Sequence, residues 1–199
     1  IEKRFSMILM GTLAIGTDVP LSIQKAFYEL KKEGHLLFIC TGRPYEYASQ
    51  FFQQYVDGFI ASNGRYVIYR NKVLWDEPLN HEQIIYFMKV IRKHHCGFAF
   101  IDHDSGYLEN QDIQVLEEIM TTYKKGYYQI DFNDEDVSGY MFDLYFSHYD
   151  QFKAVQNELK ETVVLNEHYP HLSADATILG IDKGDGFKRI VRTYLDCRF

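Results

Sequence analysis

Residues 36–44 have the sequence Leu-Leu-Phe-Ile-Cys-Thr-Gly-Arg-Pro, an apolar run that ends in a turn. The apolar residues 36–40 have the length of a strand that is buried on both faces, as in a parallel sheet. Thr41 and Gly42 follow this run and offer a hydroxyl group and exposed backbone donors. A strand followed by such a turn is typical of sites that bind an anion.

The preceding sequence completes a βαβ unit. Residues 5–10 form another apolar run, and apolar side chains at positions 23, 26, 27 and 30 have the spacing of one helix face. Strand, helix and strand in this order predict two parallel strands joined by a right-handed crossover. A helix after Pro44, a strand at 58–61 and a hairpin at 66–75 extend this unit.

The pattern changes near residue 78. Further elements are predicted as helices at 81–94, 111–124 and 150–160 and strands at 97–101, 140–146 and 162–166. A last helix is predicted at 184–194, where the chain returns to the domain formed by the opening βαβ unit. The sequence therefore predicts an α/β fold with a parallel, Rossmann-like sheet core at 1–78 and 179–199, interrupted by an inserted α+β domain at 79–178.

The composition of the chain restricts which partners and locations we expect. Of 199 residues, 46% are hydrophobic and 25% charged, as in globular proteins. The net charge of −7 argues against nucleic acid as a partner, and no run approaches the ~18–20 apolar residues that span a membrane. The three cysteines form neither a disulfide framework nor a CxxC site, so we expect a reducing cytoplasm.

Small and hydroxyl residues follow three predicted strands, at Gly11-Thr12, Thr41-Gly42-Arg43 and Ser62-Asn63-Gly64. In a parallel sheet these ends lie at one edge, where ligands bind. One such motif alone indicates only a turn, because these residue types are common in turns, but three motifs together indicate an anion site.

These motifs, with Asp182-Lys183-Gly184-Asp185-Gly186, resemble the haloacid dehalogenase (HAD) superfamily in its Cof-like sugar-phosphatase branch. The resemblance covers essentially the whole chain. It implies a HAD-like core with an inserted cap domain and a hydrolase that acts, with Mg²⁺, on small phosphorylated metabolites such as sugar phosphates. It also assigns site residues: Thr41 and Lys183 as catalytic residues that hold the phosphoryl group, and Gly11, Thr12, Gly42, Arg43 and Asn63 as substrate-binding residues.

The chain departs from the family pattern at the first strand. The family motif is Asp-x-Asp-Gly-Thr, whose first Asp attacks phosphorus and whose second transfers protons, but Ile8 and Met10 stand there. An alkyl group cannot attack phosphorus, and a thioether cannot transfer protons at neutral pH. Mg²⁺ prefers carboxylate and water oxygens, so we assign no metal ligand here and do not expect Mg²⁺ to bind well. The later acidic motif should follow soon after residues 194–199, so we expect a core that is incomplete at its C-terminus.

The sequence leaves open whether this chain is an enzyme. It could be a fragment or damaged copy of a phosphatase gene, or a sequence recorded wrongly near its ends. Alternatively, it is a pseudoenzyme that binds a phosphorylated metabolite or a partner without turnover. Loss of core strands would expose a sheet edge, which favours the first two explanations and also predicts a homo-oligomer that covers the edge.

Three other groups have a simpler interpretation than metal binding. The acidic stretches at 102–104 and 131–136 are predicted to be solvated loop charge. His94-His95-Cys96 is interpreted as a helix C-terminus rather than a zinc site.

Overall fold

The computed structural model describes residues 5–9, 19–121 and 124–195. The chain forms two compact units. Unit 1 comprises Ile1–Glu77 and Ile181–Phe199, and unit 2 comprises Pro78–Gly180. Among the described residues, no helix has the length and apolar character needed to cross a bilayer.

The described part of the chain contains six α-helices and eleven strands. The helices are α1 (Leu21–Lys32), α2 (Tyr45–Phe52), α3 (His81–Lys93), α4 (Ile113–Met120), α5 (Tyr149–Leu159) and α6 (Lys183–Leu195). The strands are β1 (Phe5–Leu9), β2 (Leu36–Cys40), β3 (Gly58–Ala61), β4 (Tyr66–Tyr69), β5 (Lys72–Asp76), β6 (Gly97–Ile101), β7 (Gly106–Glu109), β8 (Tyr128–Gln129), β9 (Met141–Tyr145), β10 (Val163–Glu167) and β11 (Ser173–Ile178).

Unit 1 contains a five-stranded sheet in the order β1-β2-β3-β4-β5. The first three strands are parallel, and Ile8 of β1 is paired with Ile39 of β2. The chain then turns back, so that β4 and β5 are antiparallel to their neighbours. The predicted α/β class and parallel opening unit are confirmed.

Strands β2, β3 and β4 of unit 1 are buried at every residue, which explains why they are almost entirely apolar, whereas β5 is mostly exposed. Adjacent residues of β3 point to opposite faces. On one face, the Phe59 ring lies 5.3 Å from the Tyr45 ring of α2, measured between centroids. On the other, Ile60 and Phe38 share a buried cluster with Ile190 of α6. Helix α6 therefore completes a core that begins more than a hundred residues earlier in the chain.

Unit 2 contains a six-stranded sheet in the order β10-β11-β9-β6-β7-β8. Its neighbouring strands are antiparallel except for β7 and β8, which are parallel. Helices α3 and α5 contribute to the larger core, and α4 packs on a separate apolar cluster that includes Leu108 and Ile119. Strands β7, β8 and β11 were not predicted. Helix α4 is shorter than the predicted helix at 111–124: it begins at Ile113 because Asp112 caps it, and it ends at Met120.

Arg92 of α3 connects three parts of unit 2. Its guanidinium donates two hydrogen bonds to Glu109, at 2.8 and 2.6 Å, and two to Asp134, at 2.6 and 2.8 Å. These bonds hold the pKa of the Asp134 carboxyl below its usual range. Asp134, in the stretch predicted to carry solvated loop charge, is partly exposed and also pairs with an arginine 42 positions away.

We predict that Arg92→Met lowers the free energy of unfolding of unit 2 by about 1 kcal/mol at neutral pH, because solvent screens a pair that is more than one-third exposed. A carboxyl group whose pKa is lowered by folding stabilises the protein above its unfolded pKa of about 3.9. This contribution is lost as the pH falls through the folded pKa. Urea unfolding at several pH values should therefore show the difference between the two proteins shrinking in acid. Lys89→Met, at an exposed position of the same helix, is the control; an equal loss there would contradict the prediction.

Candidate active site

The turns that follow β2 and β3 are joined by main-chain hydrogen bonds. The N–H of Asn63 donates to the carbonyl of Thr41 at 3.2 Å, and the N–H of Ser62 donates to the carbonyl of Arg43 at 3.1 Å. Thr41 in turn donates its own N–H to the carbonyl of Ile60 at 2.9 Å. The two predicted anion-binding turns that the structure describes therefore form one surface at the carboxyl ends of neighbouring strands.

Thr41 is buried, and its hydroxyl oxygen accepts a hydrogen bond from the N–H of Arg43 at 3.0 Å. This bond fixes the side chain in a turn that is common for threonine. The oxygen acts only as an acceptor in this bond, so the hydroxyl proton can be donated to another group. Such a donor suits an anion's oxygen.

The turn Ser62–Gly64 has an unusual backbone. Ser62, Asn63 and Gly64 have φ values of 48°, 55° and 95°, so three consecutive residues are left-handed. This conformation is disfavoured for the two that carry a Cβ, and such strain is concentrated at functional sites. The Ser62 hydroxyl is also buried, and no described residue forms a hydrogen bond with it. A buried polar atom without a partner among the described residues is costly, and with the left-handed backbone it makes this turn a candidate functional element.

Helix α6 begins beside this turn. Asp182 precedes the helix, and its Oδ1 accepts from the N–H of Asp185 at 2.9 Å, while Asp185 Oδ2 accepts from the N–H of Asp182 at 3.2 Å. These reciprocal bonds form a capping box. A Cβ added to Gly64 would lie 2.1 Å from the Asp182 carbonyl oxygen and 3.3 Å from the Lys183 Cα. The first residue of the helix is thus held against the turn.

The structure brings four of the predicted site residues together. A Cβ added to Gly42 would lie 3.0 Å from Asn63 Oδ1, so the glycine and the amide are in contact. The Lys183 Cα lies 3.3 Å from a Cβ added to Gly64, so the main chain of the lysine is beside the same turn. Burial raises the pKa of the Cys40 thiol, and the charge of Lys183 opposes this rise. Thr41 follows Cys40 directly.

Arg43 contributes its main chain to this surface, through the bonds to Ser62 and Thr41. Its side chain is exposed, with the guanidinium carbon 5.6 Å from the centroid of the Tyr47 ring on α2. Gly11, Thr12 and Met10 lie outside the described residues. Ile8 is described as part of the β1 backbone.

The described residues of this surface do not fit a Mg²⁺ site. Mg²⁺ needs several carboxylate or water oxygens in octahedral geometry. Position 8 carries an alkyl side chain. Of the two carboxylates beside the turn, Asp182 caps the helix. Asp185 accepts from Lys188 and from the Asp182 N–H, and these bonds hold the pKa of its carboxyl below the usual range. No chemical step is therefore assigned to a metal here.

Metal-ligating atoms do meet in unit 2, at Asp102, His103 and Asp104, where they lie within 4.8 Å of one another. Asp102 is buried, so the prediction of solvated loop charge is wrong for this residue. Its Oδ1 lies 2.7 Å from His103 Nδ1 and its Oδ2 accepts from the Ser138 hydroxyl at 2.6 Å. These bonds account for its position without an ion. His94 directly follows α3, as expected for a helix C-terminus.

The comparisons with known proteins agree with this arrangement. A sequence model of the haloacid dehalogenase-like hydrolases matches residues 11–196. The chain is 26% identical over 180 residues to "Putative phosphatase YkrA" of Bacillus subtilis (strain 168), in a match that covers 87% of this chain and 67% of the relative.

Solved structures share the fold. A hypothetical protein from Geobacillus kaustophilus HTA426 superposes with a TM-score of 0.79 at 22% identity, over 96% of this chain and 75% of its own. A sugar phosphatase of HAD subclass IIB superposes with a TM-score of 0.74 at 18% identity, over 97% of this chain and 76% of its own. The resemblance noted in the sequence is confirmed.

We predict that Gly64→Ala lowers the free energy of unfolding by at least about 3 kcal/mol, because the new methyl group must push a backbone carbonyl away. Gly34→Ala is the matched control: this glycine also has a positive φ, of 86°, but nothing lies within 4 Å of the added Cβ. Only backbone strain of about 1–2 kcal/mol is expected at Gly34. Thermal unfolding of both variants measures the difference. Equal losses would show that the backbone contact at Gly64 is not tight.

Proposed function

The chain belongs to the haloacid dehalogenase-like hydrolase family, and from this membership we propose that unit 1 binds the phosphate group of a small phosphorylated metabolite without hydrolysing it. The ligand is a phosphomonoester, such as a sugar phosphate. Thr41 donates its hydroxyl hydrogen to a phosphate oxygen, Lys183 supplies the positive charge, and Gly42 and Asn63 line the turn that receives the anion.

One observation carries the proposal: the turns after β2 and β3 and the start of α6 converge. The contact between Gly64 and Asp182 sets the first turn of α6 beside the left-handed residues 62–64. Backbone N–H groups at a helix N-terminus and in a left-handed turn favour an anion. The partial positive charge of these N–H groups is confined to this site, since the chain as a whole carries a net charge of −7.

The absence of turnover follows from the first strand. Phosphoryl transfer to a carboxylate needs an oxygen nucleophile and positive charge that neutralises the developing negative charge. Position 8 is isoleucine and position 10 is methionine. Lys183 contributes one positive charge, which orients and binds the phosphate group but supplies no nucleophile.

Hydrolysis of sugar phosphates with Mg²⁺ is the second candidate function, and family membership favours it. Under either function, unit 2 has the role of the inserted cap that selects the metabolite by the part that bears no phosphate. The cytoplasm as location and a homo-oligomeric state stay predictions from the sequence.

We predict that inorganic phosphate binds to the protein and that Thr41→Val and Lys183→Met weaken this binding. Loss of a hydrogen bond to a charged group should raise the dissociation constant roughly 10-fold for Thr41→Val, and loss of the ammonium group by a similar or larger factor. Isothermal titration calorimetry measures both. Lys25→Met, at an exposed position of α1, is the control. Binding that is equal in all four proteins would contradict the assigned site.

We predict no hydrolysis of an aryl phosphate in the presence of Mg²⁺, because no carboxylate stands at position 8 or 10. Release of the aryl alcohol, followed by absorbance, measures the rate. Turnover that is abolished by Thr41→Ala or Lys183→Ala would establish the hydrolase instead. Turnover that persists in both variants would indicate a contaminating phosphatase.

A further inference from the structure

Glu77 lies at the centre of a polar cluster in unit 1. Its Oε2 accepts a hydrogen bond from the Trp75 indole at 2.8 Å and another from Arg189 Nη2 at 3.2 Å. Its main-chain carbonyl accepts from Arg65 Nη1 at 3.3 Å, and its N–H donates to the Arg65 carbonyl at 3.0 Å. The Arg189 guanidinium also lies over the Trp75 ring, 3.5 Å from its centroid.

The two arginines belong to the two elements that form the candidate phosphate site. Arg65 follows Gly64 directly, at the end of the left-handed turn. Arg189 lies on α6, six residues after Lys183, which corresponds to about 9 Å along the helix axis. Glu77 therefore connects the turn that carries Asn63 to the helix that carries Lys183, from a position that touches neither residue.

The opposite charges of Glu77 and the two arginines favour this connection between the turn and the helix. Arg65 is 6% exposed, and the Arg189 side chain is 23% exposed. Burial and the charge of Arg189 lower the pKa of Arg65, while the charge of Glu77 opposes this. The Glu77 carboxylate thus carries the negative charge that pairs with Arg189 and opposes the lowering of the pKa of Arg65.

We propose that Glu77 is a positioning residue for phosphate binding: its main chain holds Arg65 and its carboxylate holds Arg189, so that the turn Ser62–Gly64 and the start of α6 keep their mutual position. Lys183 is the group whose position depends on it. This inference rests on the proposed function, since it concerns the same site.

A double-mutant cycle separates positioning from a general effect on stability. Glu77→Gln keeps the size of the side chain and removes its charge. We expect it to raise the dissociation constant of inorganic phosphate roughly fivefold when Lys183 is present. In the Lys183→Met background the same change should raise it by no more than about twofold, because the group being positioned is gone. Equal factors in both backgrounds would overturn the proposal.

Glu29→Gln provides the matched control, since it makes the same chemical change at an exposed position of α1 in unit 1. All titrations are made at a temperature where each variant is fully folded. A loss of affinity in Glu29→Gln equal to that in Glu77→Gln would also overturn the proposal.

Amide hydrogen exchange tests the inference without any ligand. In Glu77→Gln, peptides that cover residues 183–190 should exchange faster because the charge that faces Arg189 is removed. Peptides that cover residues 62–65 should change less, because the main-chain bonds between Glu77 and Arg65 remain, and peptides from unit 2 should keep their rates. Unchanged exchange at residues 183–190 would show that the Glu77 carboxylate does not hold the helix. Failure of the unmodified protein to bind phosphate would overturn the proposed function, whereas the exchange rates would still decide whether Glu77 holds the turn and the helix.

Discussion

The candidate site depends on the backbone contact between the turn Ser62–Gly64 and the start of α6. A Cβ on Gly64 would meet the Asp182 carbonyl, and a Cβ on Gly186 would lie 2.6 Å from Ile60 Cγ2 and 3.0 Å from the Gly64 Cα. The main chains can approach this closely because both positions, Gly64 and Gly186, are glycines without a Cβ. Because they do, a left-handed turn, a helix N-terminus and the Thr41 hydroxyl share one surface.

Anion binding and phosphoryl transfer place different demands on this surface. Its shape comes from main-chain hydrogen bonds between the ends of β2 and β3 and from the Asp182–Asp185 capping box. A carboxylate at position 8, where this chain has isoleucine, would contribute to the chemistry of phosphoryl transfer but is not needed for the shape of the surface. The surface can therefore persist where isoleucine replaces the nucleophile, and function must be argued from the site rather than from the fold.

Local sequence patterns predicted the parts of the molecule that depend on local physics. Continuous apolar runs identified the buried parallel strands, and the reciprocal carboxylates of Asp182 and Asp185 carry a capping signal that could have been read from their spacing. Strand β11 was missed because alternating Ser173, Asp175 and Thr177 leave only small apolar residues between them. The Glu77 cluster had no local signal, since Glu77 and Arg189 are 112 residues apart and only the fold brings them together.

The two units differ in when their cores can close during synthesis. Unit 2 is one continuous segment, so every residue of its core is available once Gly180 has left the ribosome. The sheet of unit 1 is translated first, yet Phe38 and Val67 acquire their partner Ile190 only when α6 emerges. A nascent chain thus carries an uncovered apolar sheet face while about one hundred further residues are added, at about 5–20 residues per second. This interval is the period in which the chain is most exposed to aggregation and to capture by chaperones.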